Sequence, residues 1–387
     1  MKQATLAILI LLSLRLVAFS VTLEADAWHV HPGENIQSAL DSAANSTNKV
    51  VKVHAGLYTP NEKGQALIWF NRKHDGIQLQ AVGHAILTAA NRTLANSNSA
   101  SAPAVVNHVI YFGQGISART MLDGFEISGA NHFVTTNGTT QLEPDSSVPK
   151  GLFFFCDGGA IKIAGRSFPT LRRLVVRDNY ASPCAGGISI EHGGLAGDSD
   201  FVRIEDSVFQ NNKSQVTGAA VDVLPGSAAT ISNCLFLSNA ANGGVNFISP
   251  RSPATEFTNS AALTVFPGSH VIVRNSTFAE NRNAVDDWGD KSQYLNCIFW
   301  HNELGGGFYT NERYDLELGG RAIVAGCIFS GRQRDPRNLI GTTNNLLKAE
   351  APDFDMNYKP RAPSYQRTGY SPADETFRPV IETIRSP

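Results

Sequence analysis

Hydrophobic and polar positions in the second half of the chain follow a nine-residue phrase rather than a helical period. It reads Ile204-Glu-Asp-Ser-Val-Phe-Gln-Asn-Asn212, Ile231-Ser-Asn-Cys-Leu-Phe-Leu-Ser-Asn239, Val273-Arg-Asn-Ser-Thr-Phe-Ala-Glu-Asn281, Tyr294-Leu-Asn-Cys-Ile-Phe-Trp-His-Asn302 and Val324-Ala-Gly-Cys-Ile-Phe-Ser-Gly331. Leu171 to Asn179 and Leu122 to Gly129 are looser copies. A small residue and a Phe flanking one position is strand alternation. The polar residues Asp206, Asn233, Asn275 and Asn296, and the Asn three residues after each Phe, predict turns, because Asn tolerates a left-handed backbone.

The Phe residues at 209, 236, 278, 299 and 329 lie 27, 42, 21 and 30 residues apart, too close and too uneven for β-α-β units. The shortest interval suffices for three short strands and three turns, and longer intervals add an excursion at one corner. Stacked coils predict an inward column of Ser207, Cys234, Ser276, Cys297 and Cys327 beside a column of the five Phe residues. A second strand follows most turns: Gly159–Ile163, Gly186–Ile190, Gly218–Val223 and Ala261–Val265, with Ile and Val pointing inward. Ahead of the coils, Asn35 to Ala44 carries Ile36, Ala39, Leu40 and Ala43 at helical spacing, suited to cover the open end of a solenoid. The strand Val50–Val53 and a turn at Ala55–Tyr58 follow it. After about residue 348 the repeat stops and the tail is rich in Pro and Tyr.

The expected class is therefore all-β: a single-stranded right-handed parallel β-helix over 28–347 with an N-terminal amphipathic capping helix, and a cap or tail over 348–387. Residues 1–27 read as a leader, with an apolar run from Ala4 to Ser20 and Ala25-Asp26-Ala27 as a cleavage site, which predicts a secreted, periplasmic or extracellular protein. The apolar run is shorter than a bilayer needs, so no membrane span is expected. A formal net charge of −2 argues against nucleic acid as partner. Both ends of the solenoid being capped favours a monomer.

Five cysteines show no metal-ligand spacing, and Cys156 and Cys184, off the inward column, are the two left to pair or stay free. The sequons at Asn45, Asn91, Asn137, Asn212 and Asn275 include two, Asn212 and Asn275, that belong to the repeat itself.

Candidate chemistry falls on the second strands. Their outward positions align Lys162, Ser189, Asp222, Thr264, Asp286 and, less directly, Tyr309. Two rungs of about 4.8 Å put the backbones of Asp222 and Asp286 roughly 9 to 10 Å apart, at the upper end of the carboxyl separation that fits a water in an inverting glycosidase. The run Asp286-Asp287-Trp288-Gly289-Asp290 suits acid/base work or a hard cation, against the plainer reading of a charged turn. The long inserts Asn131–Gly158 and Ala240–Ser260 bring Phe133, Phe153, Phe154, Phe155, Phe247 and Phe257, which can stack on sugars. Arg172, Arg173 and Arg177 can meet an acidic polysaccharide, or pair with Glu205 and Asp206 on the next coil.

The Ile36–Leu40 opening, the Ala-Gly-Leu-Tyr turn and the repeated Asn-Cys-x-Phe coils resemble the secreted right-handed parallel β-helix proteins that include the pectate lyases, over roughly residues 30–347. That resemblance implies a polysaccharide partner, a hydrolase or lyase activity, and calcium as a cofactor if the chemistry is that of a pectate lyase. A lyase-type base then falls to Lys162, beside Asp222 and Asp286. Of the polygalacturonase motifs, only Asp286-Asp287 and His192-Gly193 have local counterparts, in reversed order. The candidate catalytic set is Asp222, Asp286, Asp287 and Lys162, and the candidate substrate-binding set is Trp288, Tyr309, His192 and Arg177. The alternative is a non-catalytic surface or carbohydrate-binding β-helix.

Overall fold

The computed structural model describes residues 21–24, 26–135, 157–241, 261–303, 314–331 and 344–372, with the backbone of two short strands at Gln333–Arg334 and Leu339–Ile340. Among these residues the chain winds as a parallel β-helix, with strands collected into a 19-stranded sheet and a nine-stranded sheet. The coil from Val202 shows the construction. Val202–Glu205 runs into a left-handed corner at Asp206 (φ 50°), continues as Val208–Gln210, turns again at Asn211 (φ 52°), and enters the nine-stranded sheet as Val221–Val223. The corner residues Asn233, Asn275 and Asn296 repeat the geometry at φ of 53°, 47° and 54°, as their amide side chains favour.

The Phe column forms as the spacing predicts. Phe209, Phe236, Phe278, Phe299 and Phe329 pair rung to rung and stack face to face, with centroids 4.9, 4.3, 5.2 and 4.9 Å apart. The Asn after each Phe differs from expectation. Asn212, Asn239, Asn281 and Asn302 are fully buried, and the left-handed residue is the one before each, at 211, 238, 280 and 301. With Asn179 they form an amide ladder, each side-chain N–H donating to the next Oδ1 at 2.9 to 3.1 Å and to a backbone carbonyl of the preceding coil. A buried amide is stable there only because every donor finds an acceptor. Asn212 is thereby unavailable as a sequon.

The Ser and Cys column is buried and also hydrogen-bonded. Ser207 Oγ accepts from Leu174 N–H, Ser276 Oγ from Cys234 N–H, and Cys327 Sγ from Cys297 N–H. Cys184, Cys234, Cys297 and Cys327 are free and buried; Cys156, the other half of the pairing left open with Cys184, lies outside the described residues.

The helix Ile36–Ala44 closes the first coil, capped by Asn35, whose Oδ1 accepts from Ser38 N–H, and it buries Ile36, Ala39, Leu40 and Ala43. The expected turn at Ala55–Tyr58 is instead an irregularity within one strand, Val50–Tyr58. Gly56 (φ 154°) sits there because a Cβ would lie 2.5 Å from Pro32 Cγ. Thr22–Glu24 pairs antiparallel with Ala27–Val30, and Ala27, where the expected leader ends, is fully buried.

The tail runs back over the coils. Tyr365 packs on Ile298 and Ile328, and Tyr370 on Val208, Leu235, Leu237 and Ala279. Ser371 exchanges hydrogen bonds with Asn233, 138 residues earlier. No helix among the described residues is long and apolar enough to cross a membrane.

Candidate functional site

The nine-stranded sheet buries Ile161, Ile163, Ile188, Ile190, Val221, Val223, Leu263 and Val265 in the solenoid core. By alternation, the residues between them face outward. The strand registers place Trp69, Tyr111, Lys162, Ser189, Asp222, Thr264, Asp286 and Glu317 on successive rungs of that outer face. The column expected from Lys162 to Asp286 is therefore formed. Its next rung is Glu317 rather than Tyr309, which lies outside the described residues, as do Phe153, Phe154, Phe155, Phe247 and Phe257.

This face is not the solvated surface that outward charge ordinarily makes. Lys162, Ser189, Asp222, Thr264 and Asp286 are all at most 2% exposed. Buried charge is costly unless paired, and the lysine is paired thoroughly. Its Nζ lies 2.7 Å from Asp157 Oδ1, 2.8 Å from Glu191 Oε2 and 3.1 Å from Ser189 Oγ, while Ser189 donates to Asp157 Oδ2 at 2.5 Å. Burial favours the neutral amine, but the two carboxylates outweigh it and hold the ammonium above the ordinary lysine range.

One rung beyond Ser189, Asp222 has no cation of its own. Thr217 donates to its Oδ2 at 2.9 Å, with Cys184 Sγ 3.1 Å from the same hydroxyl. Its Oδ1 is buried without a hydrogen-bond partner. Burial first, and the Asp157 charge second, push its carboxyl up to about 8, so it is protonated at neutral pH. Gly218 (φ 56°) permits this packing, because a Cβ there would lie 2.6 Å from Asp222 Oδ1.

Two rungs further, Asp286 accepts from Trp288 Nε1 at 2.6 Å and from the Tyr314 hydroxyl at 3.0 Å. Burial and then the neighbouring Glu317 charge raise its carboxyl well above the usual range, against those two donors. Trp288, 39% exposed, lies over Gly319, where a Cβ would come within 2.4 Å of the indole.

The adjacent Asp287 faces the other way. It shares its register position with Val265 and Leu318, accepts from the Tyr294 hydroxyl at 2.7 Å and from Gly289 N–H at 2.8 Å, and is raised by its burial. One-residue parity separates it from Asp286.

His192 and Arg177 are not brought to this group. His192 is fully buried, its Nε2 donating to Ser167 O at 3.0 Å and its Nδ1 accepting from Ala228 N–H at 3.4 Å, and burial lowers it to about 4. Arg177 ends a strand of the other sheet and pairs with Glu126 and Asp178. Arg172 and Arg173 likewise pair on the preceding coil, both on Asp123 at 2.6 to 2.7 Å, and not on Glu205 or Asp206. Though burial alone would raise Asp123, those two guanidinium groups hold it below the usual carboxylate range.

The residues that sequence reasoning missed are Asp157, Glu191, Thr217, Tyr314 and Glu317. Glu191 carried a signal, since it lies two residues after Ser189 and so on the same face.

Calcium takes six to eight oxygen ligands. Here the ammonium of Lys162 already occupies the space between Asp157 and Glu191, and both oxygens of Asp286 accept from neutral donors. The described residues contain no group of three or more His, Cys, Asp or Glu able to hold a metal. The donor set does not fit calcium.

Fold and site together define a parallel β-helix protein with a buried, acid-rich outer sheet face. No family model matches the chain, and no curated protein matches it. Among solved structures the chain is similar to the Siphovirus 9NA tailspike receptor binding domain, at 10% identity over 85% of this chain and 77% of that one, with a TM-score of 0.17. The fold assignment rests on the parallel strand registers.

Proposed function

We propose that the protein is an exported polysaccharide hydrolase whose acid is Asp222. The observation that carries this is the buried, unpartnered Oδ1 of a carboxyl kept protonated at neutral pH, the state a general acid needs before it meets a glycosidic oxygen. Asp286, two rungs away, is the second carboxyl. In the inverting scheme that this separation suits, Asp222 gives its proton to the leaving oxygen as the glycosidic bond breaks. Asp286 takes a proton from the water that adds to the anomeric carbon from the opposite side. Trp288 and Tyr314 favour the ionised form of Asp286 that this requires, against burial and the Glu317 charge, which hold its carboxyl well above the usual range, so the base must shed its proton when the glycan binds. The resemblance of the coil repeat to that of the pectate-lyase-type proteins and the leader expected over residues 1–27 are what support an exported, glycan-directed role.

A lyase route is disfavoured because Lys162, clamped between Asp157 and Glu191, is held protonated and cannot accept a proton. A second reading, a β-helix that binds glycan without cleaving it, is favoured by the complete burial of Asp222 and Asp286. The test is turnover on a panel of neutral and uronate polysaccharides, following reducing ends and the ultraviolet absorbance of unsaturated uronate products. Hydrolysis predicts reducing ends alone and a loss of about 10²- to 10⁴-fold in kcat for Asp222→Asn with the fold intact. Unsaturated products sink the hydrolase reading, and silence from the folded protein across the panel leaves the binding reading standing.

A further inference from the structure

Some distance along the same column, at the capped end of the solenoid, a cavity of about 440 Å³ opens between the start of the helix Ile36–Ala44 and the connection from Tyr58 to Gly64. That volume is within the range of small-ligand sites. Its wall includes Trp69, the outermost described member of the outer column, which is half-buried and backed by Tyr111 with ring centroids 4.7 Å apart. The position of Trp69 is fixed from the helix, because Gln37 accepts from Trp69 N–H at 2.8 Å and donates to Trp69 O at 3.2 Å. Leu57, 58% exposed, stands at the rim. The charged groups of the lining are Glu34, Glu62 and Lys63, two acids against one base.

An aromatic plane and an exposed aliphatic side chain beside carboxylates and backbone polar groups match one ligand surface well: apolar C–H patches alternating with hydroxyls. The excess of carboxylate opposes an acidic ligand. We infer that this cavity is a subsite for an uncharged glycan, distinct from the acidic face around Asp222. The rungs between them, Tyr111, Lys162 and Ser189, are buried, so the two places act separately. This inference rests on the proposed function only for the class of ligand.

The test is isothermal titration of the whole protein with cellohexaose, xylohexaose, mannohexaose and hexagalacturonate. Expected is saturable binding of at least one neutral hexasaccharide, weakened by about tenfold or more in Trp69→Ala. Because Trp69→Ala also removes packing, Leu57→Asp at the exposed rim serves as the second variant, and it too is expected to weaken binding while the melting temperature stays put. Binding of hexagalacturonate in preference, no binding of any neutral hexasaccharide, or unchanged affinity in Leu57→Asp overturns the subsite. Binding without hydrolysis defeats the hydrolase reading and leaves the subsite intact. Hydrolysis with unaltered binding in Leu57→Asp does the reverse.

Discussion

The two sheets of this β-helix solve the same stacking problem with opposite chemistry. On the 19-stranded sheet successive coils repeat a Phe and an Asn, and the rings and amides inside each stack meet an identical neighbour above and below. On the outer face of the nine-stranded sheet no two neighbouring rungs from Tyr111 to Asp286 are alike, and one carboxyl oxygen, that of Asp222, goes unpartnered. Repetition satisfies polar groups by symmetry. Where repetition is abandoned, charge is buried at a cost to stability, and such places are where function is to be sought.

The sharpest way to break this contrast is Lys162→Met, which takes from the buried Asp157 and Glu191 the ammonium they share. The expected loss is about 5 kcal/mol at neutral pH, recovered in part on acidification, and read by chemical denaturation at several pH values. Phe236→Ala, in the middle of the ring stack, tests the repetitive side. It should cost about 4 kcal/mol through lost burial and a cavity, with no dependence on pH.

The finest test uses pH alone. Asp222 is pushed up to about 8 in the folded chain, so between its unfolded value near 4 and that point the native state holds the extra proton, and stability falls as pH rises, by at most about 1.4 kcal/mol per pH unit. Below that window the effect is absent, and above it the loss is complete. His192, lowered to about 4, gives the opposite slope: stability is present above about 6.5 and is lost as pH falls toward 4. Asp222→Asn should therefore gain on the wild type as pH rises from about 4 to 8. His192→Asn should lose its disadvantage as pH falls below about 6.5. Parallel denaturation curves for either variant and wild type across these windows would show that the group is not buried as described.

Much of this was legible in the residues, and the misses have physical causes. A repeat fixes columns, so the Phe stack and the line from Lys162 to Asp286 could be read directly. It does not say which way a long side chain leans along a column, which is why Arg172 and Arg173 were set against Glu205 and Asp206 while both reach Asp123. It does not say how deep an outer face lies, so the burial of Asp222 and Asp286 gave no warning. Excursions of unequal length blur the register after them, which put Tyr309 where Glu317 stands. Asp157 and Thr217 belong to turns whose partners are set by the fold alone. Asp287 was paired with Asp286 by adjacency, although strand parity sends the two to opposite sides of the sheet.

The interval from Asn281 to Asn302 holds a coil with ladder Asn, stacked Phe and corner Asn and only 21 residues from one ladder position to the next. Such a coil is an interchangeable unit, since the same contacts greet it on either side. Duplication or loss of one unit shifts everything beyond it by a single rung of about 4.8 Å. The gap between the carboxyls of Asp222 and Asp286, spanned here by the Thr264 rung, is thus quantised: descent can widen or narrow it in whole coils, and any finer adjustment must come from side-chain length.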